Sequence, residues 1–121
     1  MATITATTAS TTPALCNPVA SAPAGDQVAV AANNSLLLVI DNGHSSPITV
    51  TLSGVASTIT VGTRGSGSFT PTAISGSVTN ATSKVFYIPQ SQIAGYIDGN
   101  GFVQITYASG NAALTVQAIL T

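Results

Sequence analysis

The stretch Ser35 to Leu52, SLLLVIDNGHSSPITVTL, constrains this chain more than any other. Leu36, Leu37, Leu38, Val39 and Ile40 form a continuous apolar run ended by Asp41-Asn42-Gly43, after which Ile48, Val50 and Leu52 alternate with Thr49 and Thr51. The run is too short to cross a membrane and stops at turn residues instead of continuing at helical spacing, so it reads as a strand buried on both faces. The second segment reads as a strand with one face to the core and one to solvent. Asn42-Gly43 tolerates positive φ, and Pro47 can open a strand without removing a ladder hydrogen bond. The pattern therefore predicts two antiparallel strands joined as a hairpin.

Further strands are predicted on both sides of this pair. Gln27 to Ala31 places Val28 and Val30 on one face, and Asn33-Asn34 turns. Ser57 to Val61 directs Ile59 and Val61 inward, and Gly62 to Gly67 reads as a flexible loop. Ala73 to Thr79 is a weaker strand in which Gly76 signals a bulge or a close backbone approach. Lys84 to Ile88 is a strong strand halted by Pro89, and Ser91 to Ala94 has room for one helical turn. Asp98-Gly99-Asn100-Gly101 marks a tight turn into Phe102 to Tyr107, and Gly110-Asn111 marks another into Ala113 to Leu120. Short strands with turn residues between them define an all-β protein, an antiparallel β-sandwich or jelly-roll-like domain over residues 27 to 121.

Residues 1 to 26, MATITATTASTTPALCNPVASAPAGD, differ from the rest. They are rich in Thr and Ala, punctuated by Pro13, Pro18 and Pro23, and carry few large apolar side chains. Such a segment cannot form its own core, and its prolines favour an extended backbone. It is expected to be an extended N-terminal arm that is disordered alone or orders on a neighbour, reaching on the order of 80 Å when fully extended. Thr3 to Thr8 alternates as TITATT and is suited to adding a strand to a sheet edge. Thr3, Ile4, Thr5, Leu15 and Val19 are the expected partner-binding residues.

Charge excludes several functions. Only 4% of the 121 residues are charged, namely Asp26, Asp41, Asp98, Arg64 and Lys84. A nucleic-acid footprint needs a basic cluster, which two basic residues cannot supply, and an anionic membrane surface fails for the same reason. No stretch is apolar for the ~20 residues of a spanning helix. The N-terminus lacks a basic start and a compact apolar segment, so no secretory signal is read and the chain is expected to fold where it is made. A freely diffusing protein normally keeps about a quarter of its residues charged, so a surface of Ser, Thr, Asn and Gln suits one that lives assembled.

The residues for chemistry do not gather into a site. His44 is the sole histidine and lies near Asp41, but no serine stands in a G-x-S-x-G elbow. One His, one Cys and three dispersed Asp give no metal-ligand spacing, and Asp98-Gly99-Asn100-Gly101 lacks the later carboxylates of a calcium loop. Gly62 to Gly67 resembles a dinucleotide fingerprint in spelling alone, since no helix follows to bind phosphate. Cys16 is single, so it forms no internal disulfide. No catalytic, cofactor or metal residues are assigned, and an enzyme is not expected. Tyr87, Tyr96 and Tyr107 read as core residues whose hydroxyls reach the rim.

From Gln27 onward the chain resembles the small decoration, or cement, proteins of tailed bacteriophage capsids. The likeness rests on LLLVIDNG, then SPITVTL, then the block FYIPQSQIAGYIDGNGFVQITYASGNAALTVQAIL. The segment from Gly62 to Thr82 is longer and richer in Ser, Thr and Gly than the pattern leads one to expect. The resemblance implies a β-rich structural protein made in the bacterial cytoplasm. Such a protein binds the outer surface of the matured capsid, clamps neighbouring subunits of the major capsid protein, and self-associates as a homotrimer. An alternative is a receptor- or glycan-binding module, or a fibre or tail component, with Tyr96, Asp98 and the Arg64 loop as contacts.

Overall fold

The computed structural model describes residues 2–9, 19–20, 25–60, 65–108 and 113–121. Within these the chain is all-β: a sandwich of two sheets, with one 3₁₀ turn at Ile93–Gly95 and no α-helix among the described residues.

Twelve strands follow one another among the described residues: β1 (Ala2–Ile4), β2 (Thr7–Thr8), β3 (Val19–Ala20), β4 (Asp26–Ala29), β5 (Leu36–Asn42), β6 (Ile48–Leu52), β7 (Ser57–Thr60), β8 (Ser66–Phe69), β9 (Ile74–Val78), β10 (Thr82–Ile88), β11 (Phe102–Ala108) and β12 (Leu114–Leu120). Sheet I has the order β1-β4-β11-β6-β9, and sheet II has the order β10-β5-β12-β2, with β3 also on β12. Strands β7 and β8 form a separate two-stranded ribbon. The main ladders are antiparallel, as the sequence predicts. Both sheets are nonetheless mixed, because β1 pairs parallel with β4 and β2 parallel with β12.

The predicted hairpin of Ser35 to Leu52 does not form. Strand β5 lies in sheet II between β10 and β12, whereas β6 lies in sheet I between β11 and β9. The link from Gly43 to Pro47 therefore crosses from one sheet to the other. The links β4 to β5, β9 to β10, β10 to β11 and β11 to β12 also change sheets, whereas β6 and β9, joined by way of the β7–β8 ribbon, are neighbours in sheet I. Alternating apolar residues specify which way each strand faces; they do not specify its neighbour.

A buried asparagine organises the crossing points. Asn42 ends β5 fully buried, and its Nδ2 donates to the carbonyls of Ser46 (2.9 Å) and Val78 (2.8 Å) while its Oδ1 accepts the His44 amide (2.9 Å). Its own carbonyl accepts Ala81 N–H, and the next amide, Gly43, donates to Ala113 O. One side chain and its backbone thus fix the β5–β6 and β9–β10 crossings and the start of β12. These bonds replace the tight Asn-Gly turn expected from the sequence.

Inward residues from both sheets make one core: Ile4, Val28, Ile48, Val50, Leu52, Val78, Val103 and Ile105 from sheet I, and Leu36, Leu38, Ile40, Phe86, Ile88, Leu114, Val116 and Ala118 from sheet II. Each fully buried Leu, Ile or Val contributes about 1.5–3 kcal/mol relative to exposure. Gly76 is a close approach rather than a bulge, since a Cβ there would lie 3.1 Å from the Phe86 ring. Its pairing with Val50 is in uninterrupted register.

Several loop expectations resolve clearly. Asp98 N–H donates to Phe102 O, Gly101 N–H donates to Asp98 O, and Gly101 adopts φ +87°, completing the predicted tight turn. The helical turn falls at Ile93–Gly95, with Ile93 in the core. Part of the predicted Gly62 to Gly67 loop is strand, because β8 begins at Ser66 and pairs with β7. Val61, the rest of that loop through Arg64, Cys16 and the Gly110-Asn111 turn lie outside the described residues.

Candidate functional site

The described part of the predicted arm is laid on its own sandwich. Thr3 pairs with Gln27 across β1 and β4, and its Oγ1 accepts a hydrogen bond from Gln27 Nε2 (3.0 Å). Gln27 Oε1 in turn accepts from Gln104 Nε2 (3.1 Å), which also donates to Asp98 Oδ2 (2.7 Å). This chain of amides runs over the outer face of sheet I. Ile4, one residue on, points the opposite way and is buried in the core. Thr5 is exposed between β1 and β2, Val19 pairs with Val116 through β3, and Leu15 lies outside the described residues. Thr3, Ile4 and Thr5 are thus exposed, buried and exposed in turn, and Val19 is paired into the opposite sheet.

The residues weighed for catalysis take structural partners. His44 Nδ1 accepts the Ser46 amide at 3.3 Å, while Asp41 Oδ1 accepts the Ser83 hydroxyl at 3.0 Å. Asp98 Oδ1 accepts the amides of Asn100 and Phe102, and together with Gln104 these bonds hold its carboxyl below the usual carboxylate range, the Phe102 amide foremost. Tyr107 donates to Asp26 Oδ2 at 2.7 Å, and burial, reinforced by that bond, pushes its phenol well above the ordinary value. Tyr96 is buried with its hydroxyl donating to Thr72 O at 2.8 Å. Tyr107 and Tyr96 fit the expected core role, whereas Tyr87 is half exposed. Among the described residues no three His, Cys, Asp or Glu side chains gather as a metal site.

The feature of the surface that stands out is the outer face of sheet II. The register aligns Tyr87 with Leu37 and Leu37 with Ile119, and in the next outward row Val85 with Val39 and Val39 with Gln117. A third row, Ser83, Asp41 and Thr115, is polar. Val85 is 56% and Tyr87 51% exposed, and Leu37, Val39 and Ile119 are partly exposed beside them. Five apolar side chains thus adjoin on a sheet face directed away from the core. Strand β10 forms one margin of this face and, among the described residues, pairs with β5 alone.

This corrects the expectation for Leu36 to Ile40. Leu36, Leu38 and Ile40 are completely buried, but Leu37 and Val39 reach the outer face. The run is apolar on both sides, and the sandwich covers one. The signal was in the sequence as an unbroken apolar strand; the register that adds Val85, Tyr87 and Ile119 to it was not.

No protein-family model, no curated protein and no solved structure matches this chain.

Proposed function

We propose that this protein is a non-enzymatic structural component of a tailed-phage virion that attaches to the outer capsid surface and clamps neighbouring major capsid protein subunits, self-associating as a trimer. The observation that carries the reading is the apolar outer face of sheet II. A strand such as β5, apolar on both faces, is ordinarily one that is covered on both faces. Contiguous apolar side chains exposed on an otherwise polar, charge-poor surface are the mark of a docking site, with a polar row of Ser83, Asp41 and Thr115 at one border. The resemblance of residues 27 to 121 to capsid decoration proteins supplies the kind of partner.

Mixing the purified protein with empty expanded phage shells that lack it, sedimenting them and counting bound copies tests the proposal. Saturable binding at a multiple of three copies per local three-fold position is the expected result. Failure to co-sediment at any ratio would remove the capsid role.

A further inference from the structure

Three large apolar side chains are exposed among the described residues, and Phe69 is the one that does not belong to the outer face of sheet II. It stands at the end of β8, 54% exposed, beside a cleft of about 380 Å³ lined also by Pro71, Thr72, Ser91, Gln92, Gly95 and Tyr96. The walls of the cleft are fixed from several sides. A Cβ on Gly54 would lie 2.1 Å from Pro71 O and one on Gly95 would lie 2.6 Å from Pro71 Cγ, so the proline is seated between two positions that admit only glycine. Tyr96 Oη holds Thr72 O, and Val55 N–H holds Gly95 O at 2.8 Å.

We propose that this cleft binds a neutral saccharide, with an apolar ring face stacked on Phe69 and hydroxyls bonded to Gln92 and Ser91. The side chains of Ser91 and Gln92 are exposed and make no hydrogen bond among the described residues, so donors and acceptors stand beside an exposed aromatic side chain. No charged residue lines the cleft among the described residues, which offer an ionic ligand no compensating partner. A purely apolar ligand would strip water from Gln92 and Ser91 without replacing its hydrogen bonds. A sugar satisfies both halves of the lining: its ring C–H groups meet the electron-rich face of the phenyl group and its hydroxyls both donate and accept. The volume lies toward the small end for ligand sites and suits one or two rings. The cleft shares no residue with the outer face of sheet II, so it stands or falls apart from the capsid reading.

The test is a titration of the ¹⁵N-labelled full chain with the methyl glycosides of glucose, galactose, mannose and N-acetylglucosamine, with sialic acid and a proline-rich peptide run in parallel. At least one neutral glycoside is expected to give saturable shifts centred on Phe69, Gln92 and Tyr96. Phe69→Ala should weaken it about tenfold, and Phe69→Tyr, which keeps the ring, should retain it. Phe69 is exposed, so an otherwise unchanged spectrum of Phe69→Ala certifies its fold. The inference is overturned if no neutral glycoside shifts these resonances, if binding survives Phe69→Ala undiminished, or if only the peptide or the charged sugar binds.

Discussion

The hydroxyl of Tyr107 donates to the Asp26 carboxyl across 2.7 Å in the interior, joining the end of β11 to the first residue of β4. Removing the hydroxyl leaves a buried oxygen with one partner fewer. Tyr107→Phe is therefore expected to lower stability by about 1–3 kcal/mol near neutral pH, measured by urea denaturation. The pH dependence has a definite sign. A phenol whose folded pKa is raised stabilises fully below its unfolded value of about 10, and that contribution is lost as pH rises toward the folded value. The native protein should weaken above about pH 10, and Tyr107→Phe should weaken less steeply there.

Asp98 has the opposite sign. Its folded pKa is depressed, so its contribution is present above the unfolded carboxylate value of about 4 and is lost as pH falls through the lowered folded value. Asp98→Asn keeps an oxygen for the Asn100 and Phe102 amides but cannot ionise. Acid unfolding followed by circular dichroism should show a shallower loss below about pH 4 for the variant than for the native chain.

Asn42 answers for two sheet crossings at once, donating to Ser46 O and Val78 O from a fully buried position. Asn42→Ala is expected to cost about 3 kcal/mol. Asn42→Asp should cost at least as much, because an ionised carboxylate cannot donate to either carbonyl. Equal urea midpoints for native and Asn42→Ala chains would mean that the crossings hold without this side chain.

Ile4 separates two ideas about the N-terminal segment. Buried against its own core, it should contribute about 2 kcal/mol to the isolated chain, so Ile4→Ala is expected to lower the denaturation midpoint of the protein alone. A segment that ordered only on a neighbouring subunit would leave that midpoint unmoved and show its effect only in shell binding.

The outer face of sheet II predicts a complementary pattern. Replacing Val85 and Tyr87 together by Ser alters exposed positions, so stability should stay within about 0.5 kcal/mol. Co-sedimentation with shells should fall at least about tenfold. A double variant that binds as well as the native chain would clear this face of any role in attachment.

Strand positions were legible because the core residues alternate: Ile48, Val50 and Leu52 in β6, Phe86 and Ile88 in β10, Val103 and Ile105 in β11. Pairing was not. Nothing local to Leu36–Asn42 says that its neighbours come from residues 82–88 and 114–120, because that choice depends on how two sheets divide the strands. The tight turn at Asp98 was legible from its own side chain, which satisfies the amides of Asn100 and Phe102. Strand β8 was missed because Ser66–Phe69, SGSF, carries no apolar alternation and is held by backbone pairing to β7. Phe69 likewise meant little as a lone aromatic among Ser, Thr and Pro until Pro71 and Tyr96 were placed beside it.

The strand order carries a consequence for how the chain is made. The central strand of sheet I is β11, and β12 lies beside β5 inside sheet II; both follow the other described strands in the chain. At 5–20 residues per second, translating these residues takes on the order of ten seconds, and the apolar strand Leu36–Asn42 is made well before either of its neighbours, residues 82–88 and 114–120. Chains stalled before Leu114 are expected to be digested readily by added protease, with protection gained only once β12 clears the ribosome. Leu37 and Val39, which lie partly exposed on the outer face of sheet II in the finished protein, are then, in the nascent chain, what a chaperone would hold.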